Sequence, residues 1–189
     1  MKKISYFLVL ILIVISFSCS DNLIDTPIAL EKSNLYNTFG DGTVSITKII
    51  DGTIGGEILL DTTINDLSGN AVIVHSRLKI DSGSFKGIRE ITMVPNVNAG
   101  SIQFFPEMKF NLPLKLQVEY TGINLTRLGF NQNSIVKFVF IKEGLSIADG
   151  TDTNYEPVEY SFCNINWPQQ SLRVSNAKLN HFSRYSFIR

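Results

Sequence analysis

The chain has 189 residues, 44% of them hydrophobic and 18% charged, with 17 basic residues balancing 17 acidic ones. That length predicts one domain of ordinary size, and the charge balance excludes a face basic enough to track nucleic acid. With only two cysteines and two histidines, there is no paired-cysteine spacing for zinc, and a histidine-rich metal site is excluded unless carboxylates complete it.

The chain opens on Met1-Lys2-Lys3, followed by an apolar run from Ile4 to Ile15, then Ser16, Phe17, Ser18 and Cys19. These are the regions of a secretory signal peptide in order, and the run is shorter than the ~20 apolar residues that a membrane-spanning helix needs. A cysteine at this point resembles the bacterial lipoprotein cleavage site, where the thiol is acylated and becomes the new N-terminus. Ser16 stands where Leu is preferred and Phe17 is bulky, whereas Ser18 fits. The other reading is a signal peptide cut nearby with Cys19 unmodified. The expectation is a signal peptide over 1–18, a lipidated Cys19 opening a polar tether over 19–42, and one domain over 43–189. The protein is thus expected to be exported to the cell envelope as an outer-membrane lipoprotein, with the membrane as a partner through its N-terminal lipid. Each buried acyl methylene contributes about 0.8 kcal/mol, so several chains on one residue anchor stably. Losing Lys2 and Lys3 leaves 15 basic residues against 17 acidic. Cys163 then has no partner within the chain and reads as a small buried hydrophobe.

Past the polar stretch from Ser20 to Gly42, strand signals follow one another with turn residues between them. Thr43 to Ile50 closes on Asp51-Gly52-Thr53, and Ile54 to Leu60 contains the Gly55-Gly56 pair, which suits a bulge or a close backbone approach. After a polar loop from Asp61 to Asn70, Val72, Val74, Leu78 and Ile80 point one way and Ile73, His75, Arg77 and Lys79 the other, which places His75 on the wetter face. Ile88 to Val94 ends at Pro95-Asn96, and Ile102 to Phe105 ends at Pro106. Leu112, Leu114, Leu116, Val118 and Tyr120 then alternate with polar residues, a half-buried strand whose even positions are expected in the core. Ile135 to Ile141 is apolar on both faces apart from Lys137 and predicts a central strand covered on both sides. Val158 to Phe162, Ile165 to Trp167, Ser171 to Ala177 and Phe182 to Ile188 complete an antiparallel β-sandwich of about ten strands, with layers of immunoglobulin-like kind.

Enzyme signatures are missing: there is no Gly-x-Ser-x-Gly elbow, no His-Glu-x-x-His and no phosphate-binding glycine loop followed by Lys. No catalytic residue and no cofactor is assigned. A two-carboxylate hydrolase stays open, because acid pairs are set in space. Asp149, Asp152, Asn154 and Glu156 alternate as calcium ligands do, but Pro157 occupies the position needing a sharp glycine turn, and the distal bidentate Glu is missing. A solvated hairpin loop is the competing reading. Asp61-Thr62-Thr63 resembles a short O-glycosylation acceptor of exported proteins in Bacteroidetes-type bacteria, and a polar loop explains it equally. Aromatic residues are spread over many strands, giving no contiguous stripe for a sugar platform.

Several segments taken in order resemble a ZU5-like domain. They are Gly55-Gly56-Glu57, Leu78 to Phe85, Ile91 to Met93, Phe105-Pro106, Phe110-x-x-Pro113, and His181-Phe182-Ser183-Arg184-Tyr185. In that family a glycine-rich strand precedes a turn ending in a bulky residue, Phe-x-x-Pro opens the next strand, and bacterial members finish in His-Phe-Ser-x-Tyr. The likeness implies a β-sandwich acting as a binding or clamping module without catalysis, within a Bacteroidetes-type lipoprotein. It implies a structural role for Phe105, Pro106, Phe110, Pro113, His181, Arg184 and Tyr185. Animal members carry a downstream partner domain, and the expectation here is a sandwich acting without one. The function expected is a lipid-anchored, monomeric, non-catalytic binding or adhesion module for a protein or glycan ligand. The alternatives are a carbohydrate-binding accessory lipoprotein of glycan uptake and a carboxylate-dependent hydrolase.

Overall fold

The structure, a computed structural model, describes residues 44–142 and 155–189, and the main chain of 35–38. Twelve strands occur among them: β1 (Leu35–Thr38), β2 (Val44–Asp51), β3 (Gly56–Asn65), β4 (Ala71–Ile80), β5 (Ile88–Asn96), β6 (Ser101–Phe105), β7 (Lys109–Thr121), β8 (Lys137–Ile141), β9 (Tyr155–Pro157), β10 (Phe162–Asn166), β11 (Ser171–His181) and β12 (Arg184–Ile188). They form two antiparallel sheets, one ordered β1-β2-β5-β6-β12-β8-β9 and the other β10-β11-β7-β4-β3. The antiparallel all-β sandwich expected from the alternating pattern is therefore present.

Alternation along the strands places the core. In β4, Val72, Val74, Ser76, Leu78 and Ile80 are buried while Ile73, His75, Arg77 and Lys79 are exposed. Leu114, Leu116, Val118 and Tyr120 of β7 meet them from the next strand, and Ile46, Ile91, Met93, Ile102 and Phe104 supply the opposing layer. Two polar links cross the interior. The Tyr120 hydroxyl donates to the Ser101 carbonyl at 2.6 Å, and the Ser76 hydroxyl donates to Met93 Sδ at 3.3 Å. Burial pushes the Tyr120 hydroxyl far above its usual ionisation range, so it stays a donor at any working pH.

Several elements depart from the sequence reading. Leu35–Thr38, inside the segment read as tether, pairs with β2. β3 continues through Asp61-Thr62-Thr63 to Asn65, because Thr62 and Ile64 still face inward while the polar residues face solvent at the sheet edge. Its turn is closed instead by Asp66, whose Oδ1 accepts the N–H groups of Ser68 and Asn70, both at 2.8 Å. Pro95 lies within β5, past the last β2 partner at Met93. Val158 to Phe162 is not one strand: β10 starts at Phe162 and runs through Asn166.

In β11 the register against β7 shifts between Val174 and Ala177, with Asn176 in the left-handed region at φ 54°. This bulge keeps Leu172, Val174, Ala177 and Leu179 all on the core side. The sandwich has two ends. β2, β4 and β6 finish at the Gly52 end, where β5, β7 and β12 begin, while Asn65, Asn96 and Thr121 mark the Gly122 end.

Candidate functional site

The outer face of the five-stranded sheet carries charged side chains in ordered rows. Strand register aligns its side chains in rows across neighbouring strands. One row runs Glu57, Lys79, Lys115, Lys178 and another runs Asp61, His75, Glu119, Arg173. Three lysines side by side repel, and carboxylates from the flanking loops offset this: Lys115 Nζ lies 2.6 Å from Asp81 Oδ2, Lys79 Nζ 3.5 Å from Asp81 Oδ1, and Lys178 Nζ 2.6 Å from Glu159 Oε1. The Lys115 hydrogen bond holds the Asp81 carboxyl below the usual carboxylate range. On β3 and β4, both Arg77 Nε and Nη2 donate to Glu57 Oε2, at 2.9 and 2.6 Å, and His75 Nδ1 lies 2.7 Å from Asp61 Oδ1. Exposed pairs of this kind contribute about 0–1 kcal/mol each, so they orient the side chains more than they stabilise the sheet. Such a face presents a dense array of oriented donors and acceptors to solvent.

His75 was legible as solvent-facing, but its pairing with Asp61 was not, because Asp61 read as loop. Only the β3–β4 register brings the two together. The same register turns Thr62 towards the interior, where it is half-buried opposite Val74. This orientation disfavours the Asp61-Thr62-Thr63 segment as a glycan acceptor.

The segments that carry the family likeness converge at the Gly52 end. β6 stops at Phe105, whose bond to Pro106 is cis. Phe110 packs edge-on against Phe182 at 4.7 Å and leans on Phe85 at 6.4 Å. The Phe182 N–H donates to the Met108 carbonyl at 2.7 Å, and the Phe104 N–H donates to the Ser183 carbonyl at 3.0 Å. The His181 ring stands edge-on to Phe140 at 4.4 Å and stacks over Tyr185 at 6.2 Å, while the Tyr185 hydroxyl donates to the His181 carbonyl. Arg184 begins β12 opposite Gln103 and Ile141. Pro113 lies in β7 between the pairs Leu114–Leu179 and Lys109–His181, where the β11 register is interrupted, and before β4 pairing begins at Lys115. A residue without an N–H fits there. Together these residues knit the crossovers β6–β7 and β11–β12 into one aromatic block.

Among the calcium candidates, Asp149, Asp152 and Asn154 lie outside the described residues. Glu156 sits on β9 and pairs with Lys142 Nζ at 3.2 Å. Among the described residues, no group of three or more His, Cys, Asp or Glu side chains converges as a metal site would require. Cys163 is half-buried on β10, and burial pushes its thiol up to about 12. It should therefore resist iodoacetamide at pH 8 in the native protein and react promptly once the chain is unfolded in urea, as mass spectrometry would record. A raised folded value also sets a sign. The unfolded chain ionises from about 9, the ordinary value, so this group's contribution is intact below that pH and fades as pH climbs towards 12. Rapid native labelling at pH 8 would contradict the burial.

Comparison with protein-family models, with curated proteins and with solved structures found no match for this chain.

Proposed function

We propose that the protein is a lipid-anchored component of the cell envelope whose single ZU5-like sandwich binds another macromolecule without catalysing a reaction. The observation that carries the reading is the leader, Met1 to Ser18, ending at Cys19 and followed by one β-sandwich. A thiol placed directly after such a run suits acylation, and acyl chains supply membrane affinity without any spanning element. The polar outer face of the five-stranded sheet supports the binding half of the proposal. Among the described residues, the exposed phenylalanines Phe105 and Phe162 lie on different sheets, which favours a protein ligand over a sugar stacked on paired rings.

The test is fractionation of cells expressing the full chain. The protein should sediment with membranes, stay there in high salt and leave in detergent, while Cys19→Ser should shift it to the soluble exported fraction. Release of the natural chain by salt alone would refute the anchor.

A further inference from the structure

The Gly52 end of the sandwich carries exposed isoleucines where turns usually carry polar residues. Ile54 at the tip of the β2–β3 turn is 75% exposed, Ile88 at the start of β5 is 58% exposed and Ile49 of β2 is 49% exposed. Ile88 pairs with Asp51 and Ile49 with Glu90, so the two isoleucines stand diagonally across the β2–β5 ladder. Exposed Lys86 and Arg89 flank Ile88 in the chain.

The loops bearing these side chains already satisfy much of their own main chain. Ile54 N–H and Gly55 N–H donate to the Asp51 carbonyl at 3.1 and 2.8 Å, Gly52 N–H to the Gly87 carbonyl at 3.0 Å, and Gly83 N–H to the Gly52 carbonyl at 2.8 Å. Asp51 Oδ1 accepts from Thr53 N–H and Oγ1 at 2.9 and 2.7 Å, and the Ser82 hydroxyl donates to the Thr53 carbonyl at 2.6 Å. Polar main-chain groups that are paired internally lose little on leaving water, which is what immersion in a lipid interface demands.

Chain direction names the occupant. β1 runs antiparallel to β2, with Leu35 opposite Thr47 and Thr38 opposite Val44, so the first residue of β1 is the one nearest the Gly52 end. Fifteen residues separate Cys19 from Leu35, and a chain of that length spans at most about 58 Å even when fully extended. We infer that the Gly52 end, through Ile54, Ile88 and Ile49 with Lys86 and Arg89 near them in the chain and Glu90 on the same face of the ladder, rests on the lipid surface that holds Cys19; the inference depends on the lipid-anchor reading. Apolar side chains would enter the acyl boundary while the cations stay at the headgroups, the division seen in interfacial segments.

The test uses the full chain, exported and processed, in a Cys163→Ser background, reconstituted into vesicles of phosphatidylethanolamine and phosphatidylglycerol. Single cysteines at Ile54→Cys and Ile88→Cys, and at Leu67→Cys and Ile135→Cys near the Gly122 end, carry an environment-sensitive fluorophore. The expected result is flotation of all four proteins with the vesicles and blue-shifted emission at 54 and 88 only. Flotation without that shift, or an equal shift at 67 and 135, would overturn the inference and leave the anchor standing. A shift at 54 and 88 that appears without vesicles and grows with protein concentration would assign the surface to a second copy and likewise overturn it. Loss of flotation would overturn anchor and inference together.

Discussion

Truncation of Phe104 to Ala should lower the unfolding free energy by about 3–5 kcal/mol, the range for removing a large aromatic side chain from a core. Phe104 is fully buried, stacks on Phe182 at 5.1 Å with rings 10° apart, and meets Tyr185 edge-on at 6.2 Å. It belongs to the opposing layer contributed by the seven-stranded sheet, so its loss leaves a cavity that β6, hydrogen-bonded on both sides to β5 and β12, closes only in part. A loss of that size lowers the melting temperature by roughly 2–4 °C for each kcal/mol in a domain of this length. Phe105, the next residue and 41% exposed, provides the control. Phe105→Ala should cost under about 1 kcal/mol, as surface substitutions generally do. Equilibrium urea unfolding of both variants decides the matter, and the reverse order of effects would mean that β6 sits one residue out of register.

Gly52→Ala should cost about 3 kcal/mol, at the upper end of what an inserted methyl does in a packed site. A Cβ at position 52 would fall 2.2 Å from Phe85 Cδ2 and 2.4 Å from the Phe85 carbonyl oxygen. The Phe85 ring is buried, and its carbonyl belongs to the main chain of a loop that Gly52 itself helps to fasten, so neither yields readily. Gly69→Ala separates this clash from ordinary backbone strain. Gly69 has φ 83° but open space around it, so only the left-handed penalty of about 1–2 kcal/mol applies. If Gly52→Ala proved no worse than Gly69→Ala by chemical denaturation, the approach of Phe85 to Gly52 would be wrong.

The two variants mark what sequence periodicity reveals and what it hides. The faces of β4 and β7 were legible because each has one dry and one wet side, and a period of two then assigns every residue between them. Leu112 obeys that period and is nevertheless 47% exposed, against the expectation that all even positions from 112 to 120 lie in the core. β7 outruns its neighbour there, since its pairing with β4 starts only at Lys115. Periodicity reports direction, and covering depends on the length of the strand next door. The second half of β3 was hidden for the opposite reason: Asp61, Thr63 and Asn65 are polar because they edge a sheet, and they imitate a loop. Close approaches such as Gly52 to Phe85 join positions 33 residues apart and leave no local trace. Of the candidate site, the wet face holding His75 could be read directly. The charged rows needed the register of four strands.

The irregularity in β11 bears on chain length as well as on packing. Two residues, Ser175 and Asn176, separate the inward-facing Val174 and Ala177 where a regular strand would place one. The crossing segment before β10 fastens there, with Ser161 N–H donating to the Ser175 carbonyl at 3.1 Å and Asn176 Nδ2 donating to Ser161 Oγ at 3.3 Å. Losing one codon at 175 or 176 would restore a plain alternation and keep both flanking side chains inside. The same loss between Leu114 and Tyr120 would turn the remainder of that strand inside out. At Ser175 and Asn176 the molecule therefore holds a place where its gene can shorten by three nucleotides and still encode the same core.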